Sequence, residues 1–161
     1  MFKNILLPTD GSPLSENAIE TGIECAKSIN AKVTGLHVTP RLGPREILKD
    51  YKVSEEMWTT SDVERAKASM DHVDQLQKDI ARKYLSKIEE LAVAAGVPYE
   101  GVDLEHDSPA HGIVKVAEEK GCDLIFMASH GSTGIPSALI GSVTKKVLGH
   151  SHVPVLVHPC K

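Results

Sequence analysis

The chain has 161 residues, 18 Lys and Arg against 22 Asp and Glu and hence a formal net charge of −4, with 41% hydrophobic and 25% charged residues. That is the composition of one globular domain, residues 1–161, able to bury about 70% of its unfolded surface without disulfides, and it excludes collagen, coiled-coil and disordered architectures. No apolar run nears the ~18 residues of a membrane span, the N-terminus lacks a signal-peptide pattern, and the mild acidity offers nothing to a nucleic-acid backbone, so a cytoplasmic protein with neither membrane nor nucleic acid as partner is expected.

The first predicted strand is Asn4 to Leu7, where Ile5-Leu6-Leu7 is the continuous apolar run of a strand covered on both faces. A helix over 13–29 follows, with Ser12 as N-cap and Pro13 at the first helical position, where its missing N–H does no harm. The second strand is Lys32 to Val38. Thr39 to Ser61 is one long irregular segment, holding the only tryptophan, Trp58; connections of that length are often functional lids or partly disordered. The spacing of Ala66, Met70, Val73, Ile80, Tyr84, Ile88, Leu91 and Ala95 predicts a helix over 62–95, stopped by Gly96 and Pro98. Then come a strand from Tyr99 to Leu104, a helix over 109–120 capped by Ser108, and a strand from Asp123 to Ala128 whose Leu124-Ile125-Phe126-Met127 run again belongs at the sheet centre. A helix over 142–150 and a strand from Val153 to Val157 complete the chain. Pro154 near the start of that strand places it at an edge. Strands alternating with helices indicate an α/β fold, a parallel sheet flanked by helices.

Such sheets bind ligands beyond the carboxyl ends of strands where the chain order reverses. Two loops follow the two central strands: Pro8-Thr9-Asp10-Gly11-Ser12, and Ala128-Ser129-His130-Gly131-Ser132-Thr133-Gly134 running on to Gly141-Ser142. In the second, Gly131, Gly134 and Gly141 permit close backbone approach, and Gly141-Ser142 opens a helix whose first N–H groups and dipole favour an anion. From Leu124 to Lys161 there are three lysines and no carboxylate, although Lys145 and Lys146 are equally explained as facing water. On composition alone this loop reads either as a phosphate cradle or as glycine punctuation with Ser142 as a cap. No P-loop and no G-x-G-x-x-G after the first strand is present, which disfavours kinases, GTPases and ordinary NAD dehydrogenases.

Ile5-Leu6-Leu7-Pro8-Thr9-Asp10-Gly11-Ser12, Leu36-His37-Val38, Asp123 through Gly131, Gly141-Ser142-Val143 and Pro154-Val155-Leu156-Val157 together resemble the universal stress protein family, in order and from Phe2 to Pro159. Its nucleotide-binding branch carries G-x-x-G, nine residues, then G-[ST]. Here Gly131, the spacer Ser132 to Ile140 and Gly141-Ser142 match, while Ala128 replaces the first glycine and could crowd a ligand. The resemblance implies a three-layer α/β/α, Rossmann-like, adenine nucleotide alpha hydrolase-like domain with five parallel strands in the order 3-2-1-4-5. It implies an ATP site, with AMP or ADP as other occupants and Mg2+ accompanying ATP. Asp10 and the backbone of Val38 would hold the adenosine end, Pro8 and Thr9 would flank the base, Met127 and Ala128 the ribose, and Gly131, Gly141 and Ser142 would take the phosphates. It also implies a homodimer along the fifth strand, although the tail from His158 could instead blunt that edge.

The remaining signals are weaker. Asp10 is also explained as a turn former ahead of Ser12, and His130 either touches phosphate, carries a proton or orients its turn. His150, His152 and His158 lack the carboxylate or cysteine that would complete a zinc site, and Cys25, Cys122 and Cys160 read as two core thiols and a tail thiol. The expected function is an ATP-binding sensor or regulator in the stress response, with at most slow ATP hydrolysis because no residue stands out as a strong base. The alternatives are a dimeric interaction protein with a vestigial or AMP-binding pocket, and a nucleotide hydrolase or phosphotransferase, autophosphorylation included, using Ser142 or His130.

Overall fold

The computed structural model describes residues 1–41, 59–131 and 140–159, without the side chains of residues 62, 63, 66 and 67. Most of the Thr39 to Ser61 segment, with Trp58, the Ser132–Thr133–Gly134 stretch and Cys160 therefore lie outside the described residues, as does the side chain of Ala66.

Five strands, β1 (Asn4–Thr9), β2 (Lys32–Thr39), β3 (Tyr99–Glu105), β4 (Leu124–Ala128) and β5 (Val155–His158), form one parallel sheet in the order β3-β2-β1-β4-β5. Helices α1 (Pro13–Ile29), α2 (Thr60–Ala95), α3 (Pro109–Glu119) and α4 (Ser142–His150) connect them. The order is the one the family resemblance implied, the central place of β1 and β4 is the one expected from their unbroken apolar runs, and Ile5, Leu6, Ile125 and Leu124 are buried.

The sheet separates two cores. On one face Ile5, Leu7, Val33 and Phe126 meet Ile19 and Ile23 of α1 and Ile88 and Ala92 of α2. On the other, Leu6, Leu36, Ile125 and Met127 meet Ile113 and Val116 of α3 and Val147 of α4. The helices start where the sequence indicates. Ser12 accepts from the Ser15 N–H at 3.2 Å and Ser108 from that of His111 at 3.5 Å, each with a proline just inside the helix.

Two expectations need correction. The buried line of α2 is Ala81, Ile88 and Ala92 with Leu85 beside it, whereas Ile80 is 44% exposed. A 36-residue helix is about 54 Å long, far longer than the strands beneath it, so only its C-terminal turns reach the core. β5 begins at Val155, because Ser151 Oγ takes the Val153 N–H at 3.0 Å and holds that residue in a turn. As expected of core thiols, Cys122 is buried and Cys25, half-buried, packs against the core on the α1 face.

Candidate functional site

The chain order reverses between β1 and β4, and a cavity of about 550 Å³ opens there, beyond the carboxyl ends of β1, β2 and β4. All nine residues singled out in the sequence line it: Pro8, Thr9, Asp10, Val38, Met127, Ala128, Gly131, Gly141 and Ser142. Leu36 and Val38 from β2 and Pro109 and Ile113 from α3 give it apolar wall, and the first turn of α4, Ser142 to Lys145, lines it as well.

Sterics position the loop after β1. Thr9 Oγ1 accepts from the Gly11 N–H at 3.1 Å, and Gly11 adopts φ +74°, a conformation that glycine takes without strain. Asp10 Oδ1 accepts from the Ser12 N–H at 3.0 Å and from Ser12 Oγ at 2.6 Å, so the turn-forming role of this aspartate is realised. Its other oxygen lies against the loop after β4: a Cβ built on Gly131 would sit 2.4 Å from Asp10 Oδ2. The two loops therefore touch, and any side chain at 131 would have to displace the Asp10 carboxylate.

On the far side, the Gly141 N–H donates to Ser129 O at 2.8 Å, and a Cβ at 141 would lie 3.2 Å from that oxygen and 3.3 Å from the His130 Cα. Thr144 Oγ1 donates to Ala128 O at 3.1 Å and ties α4 to the end of β4. Unlike α1 and α3, α4 has no side-chain cap on its Gly141 N-cap. Its leading N–H groups are available to a ligand at the cavity wall.

Ala128 is placed informatively. Its methyl belongs to the core cluster with Phe126 and Leu124 on the α1 face of the sheet, whereas Met127, Leu36 and Ile113, which line the cavity, belong to the opposite cluster. The methyl that replaces the family's glycine hydrogen thus packs into the core.

The sequence reading did not assign Pro109, Ile113, Ile140 or Ser15 to the site; all four line the cavity, as does Lys145, which like Lys146 is also exposed to solvent. The strand-end rule could have found Pro109, since it follows β3. His130 also lines it; its Nδ1 lies 3.1 Å from Ser129 Oγ and its Nε2 is buried with no hydrogen-bond partner among the described residues. His150 bonds Lys146 O and packs against His111, while His158 packs on Phe126 and meets Thr21, and among the described residues no three His, Cys, Asp or Glu could share a metal ion. No helix among the described residues is long and apolar enough to cross a membrane.

Comparison with known proteins supplies the family. The sequence model of the "Universal stress protein family" matches residues 1–159. Universal stress protein MJ0531 of Methanocaldococcus jannaschii is 33% identical over 157 residues, covering 98% of this chain and 82% of its own. Universal stress protein MJ0577 of the same organism is 32% identical over 170 residues, covering 98% of this chain and 94% of its own. Its solved structure superposes with a TM-score of 0.74, at 28% identity in the structural alignment, over 100% of this chain and 98% of that one. A universal stress protein in complex with cAMP shares the fold with a TM-score of 0.66 at 21% identity, covering 98% and 97% of the two chains. Matched in sequence along nearly its whole length, this chain belongs to the universal stress protein family.

Proposed function

We propose that this protein is a single-domain, cytoplasmic sensor or regulator that binds ATP in the cavity between β1 and β4. The observation that carries the reading is the arrangement of that cavity. Part of its wall is apolar, with the end of β2, and part is a helix N-terminus without a side-chain cap, with Gly131 and Gly141 beside it in the lining. A base suits the first and a phosphate chain the second. In this reading Pro8, Thr9, Asp10 and Val38 hold the adenosine, Met127 and Ala128 lie by the ribose, and Gly131, Gly141 and Ser142 receive the phosphates. Asp10, held in place by Ser12, supplies a carboxylate suited to ribose hydroxyls. With one carboxylate among the described residues of the wall, Mg2+ arrives with ATP and is held chiefly by its phosphates, whose charge it neutralises. Turnover is slow at most, because among the described residues no second carboxylate stands in the wall to share proton transfer with Asp10.

Equilibrium titration of nucleotide-stripped protein with ATP and magnesium tests the reading. Saturable binding is expected, and none at millimolar ATP would end it. The cAMP complex of a fold relative favours a second reading, a mononucleotide occupant, which AMP in the same titration resolves. The unpaired side of β5, where Leu156 is 40% exposed, supports a homodimer along that edge.

A further inference from the structure

Two formally charged side chains line the described cavity wall: Asp10 at the β1 end and Lys145 on α4. The other described lysines that approach carboxylates are taken. Lys87 pairs with Glu16, Lys115 with Glu119 and Lys120 with Glu100. Lys145 has no such partner among the described residues, and the sequence around it carries no acid from Leu124 to Lys161.

Its position on the helix explains where the charge goes. The Lys145 N–H donates to Gly141 O at 2.9 Å, so the residue stands one turn above the N-cap, three residues after Ser142. Helical side chains lean toward the helix N-terminus, and residues three and four apart share a face. The lysine stem therefore runs back toward the first turn of α4, where Ser142, Val143 and Thr144 line the cavity. Lys146, the next residue, is turned about 100° around the helix and is not part of that wall.

We propose that Lys145 is the specificity-determining residue that makes this site prefer nucleoside polyphosphates to monophosphates and cyclic monophosphates. The proposal rests on the adenine-nucleotide reading above and deepens it. Backbone N–H groups at a helix start hold one phosphate well, but the dipole's influence fades within the first turn. A second and third phosphate need a mobile positive charge beyond it, and an ammonium on a flexible stem meets phosphate oxygens without requiring one fixed geometry. The unpaired Lys145 provides that charge only to ligands long enough to reach it.

The test is calorimetric titration of the nucleotide-stripped full chain, as wild type, Lys145→Gln, Lys145→Arg and Lys146→Gln, with ATP, AMP, cAMP and adenosine at low and high salt. Lys145→Gln is expected to weaken ATP about five- to tenfold, to change AMP, cAMP and adenosine by less than about twofold, and to flatten the salt dependence of ATP binding. Lys145→Arg should restore most of the ATP affinity, and Lys146→Gln should stay near wild type. Equal losses in Lys145→Gln and Lys146→Gln, a loss for adenosine as large as for ATP, or ATP binding unchanged in Lys145→Gln would each overturn the assignment while leaving the site in place. Wild type binding none of the four ligands would overturn the underlying reading along with it.

Discussion

Replacing Gly131 by alanine perturbs the site with a single methyl group. The added Cβ would lie 2.4 Å from Asp10 Oδ2 and 3.3 Å from its Cγ, about 0.6 Å inside the 3.0 Å that real Cβ contacts respect. Asp10 cannot give way freely, because its Oδ1 is held by the Ser12 N–H at 3.0 Å and by Ser12 Oγ at 2.6 Å. Ser12 Oγ in turn caps α1 through the Ser15 N–H at 3.2 Å. Either the two loops part, opening the crevice, or the cap is lost. Overpacking of this size costs about 1–3 kcal/mol, and a lost cap about 1 kcal/mol. Thermal denaturation should fall by about 2–4 °C for each kcal/mol, and ATP affinity by at least about tenfold, since one loop carries the adenosine contacts and the other the phosphate contacts. A double-mutant cycle isolates the contact: in an Asp10→Ala background the carboxylate is gone, so Gly131→Ala should then cost markedly less stability. A Gly131→Ala protein with wild-type melting temperature and ATP affinity, or a cycle with no coupling, would refute the argument that these two residues set the width of the crevice.

Ala128→Gly should lower stability by about 0.5–1 kcal/mol in chemical denaturation while leaving ATP affinity within about twofold, because the methyl packs in the core on the α1 face; a large gain in affinity would show that it crowds the ligand after all. Burial, reinforced by the Glu89 carboxylate, pushes the Tyr99 hydroxyl up to about 12, and it donates to Leu85 O at 3.0 Å. Its folded value lies above the ordinary 10, so it contributes stability fully below about pH 10 and loses it as the pH rises toward 12. Urea denaturation of wild type and Tyr99→Phe across that window should show a steeper loss in wild type, and parallel curves would contradict it. Leu156→Lys places a charge on the exposed side of β5 and should convert a dimer to monomer in analytical ultracentrifugation without altering the far-ultraviolet circular dichroism; an unchanged sedimentation coefficient, whether that of monomer or dimer, removes this edge as the interface.

The apolar runs of β1 and β4, the capped starts of α1 and α3 and the proline ahead of β5 are short-range patterns, and each names its own place in the sheet through burial or backbone chemistry. For that reason the element order, the central pair of strands and the two loops at their ends were legible without a structure. The long helix was less so. The 3.6-residue period identifies a face, but which turns of that face find a core depends on how far the sheet extends beneath them, and Ile80 is left exposed.

What folding alone decided is proximity between segments far apart in the chain. The contact of Asp10 with Gly131 and the contribution of Pro109 and Ile113 to the apolar wall arise because parallel strands deliver all their carboxyl ends to one side of the sheet. The side on which the Ala128 methyl falls follows from strand alternation only once the register of β4 against β1 is known. Lys145 shows the same division. Its charge is written in the sequence, but its place in the cavity wall is a product of where α4 docks.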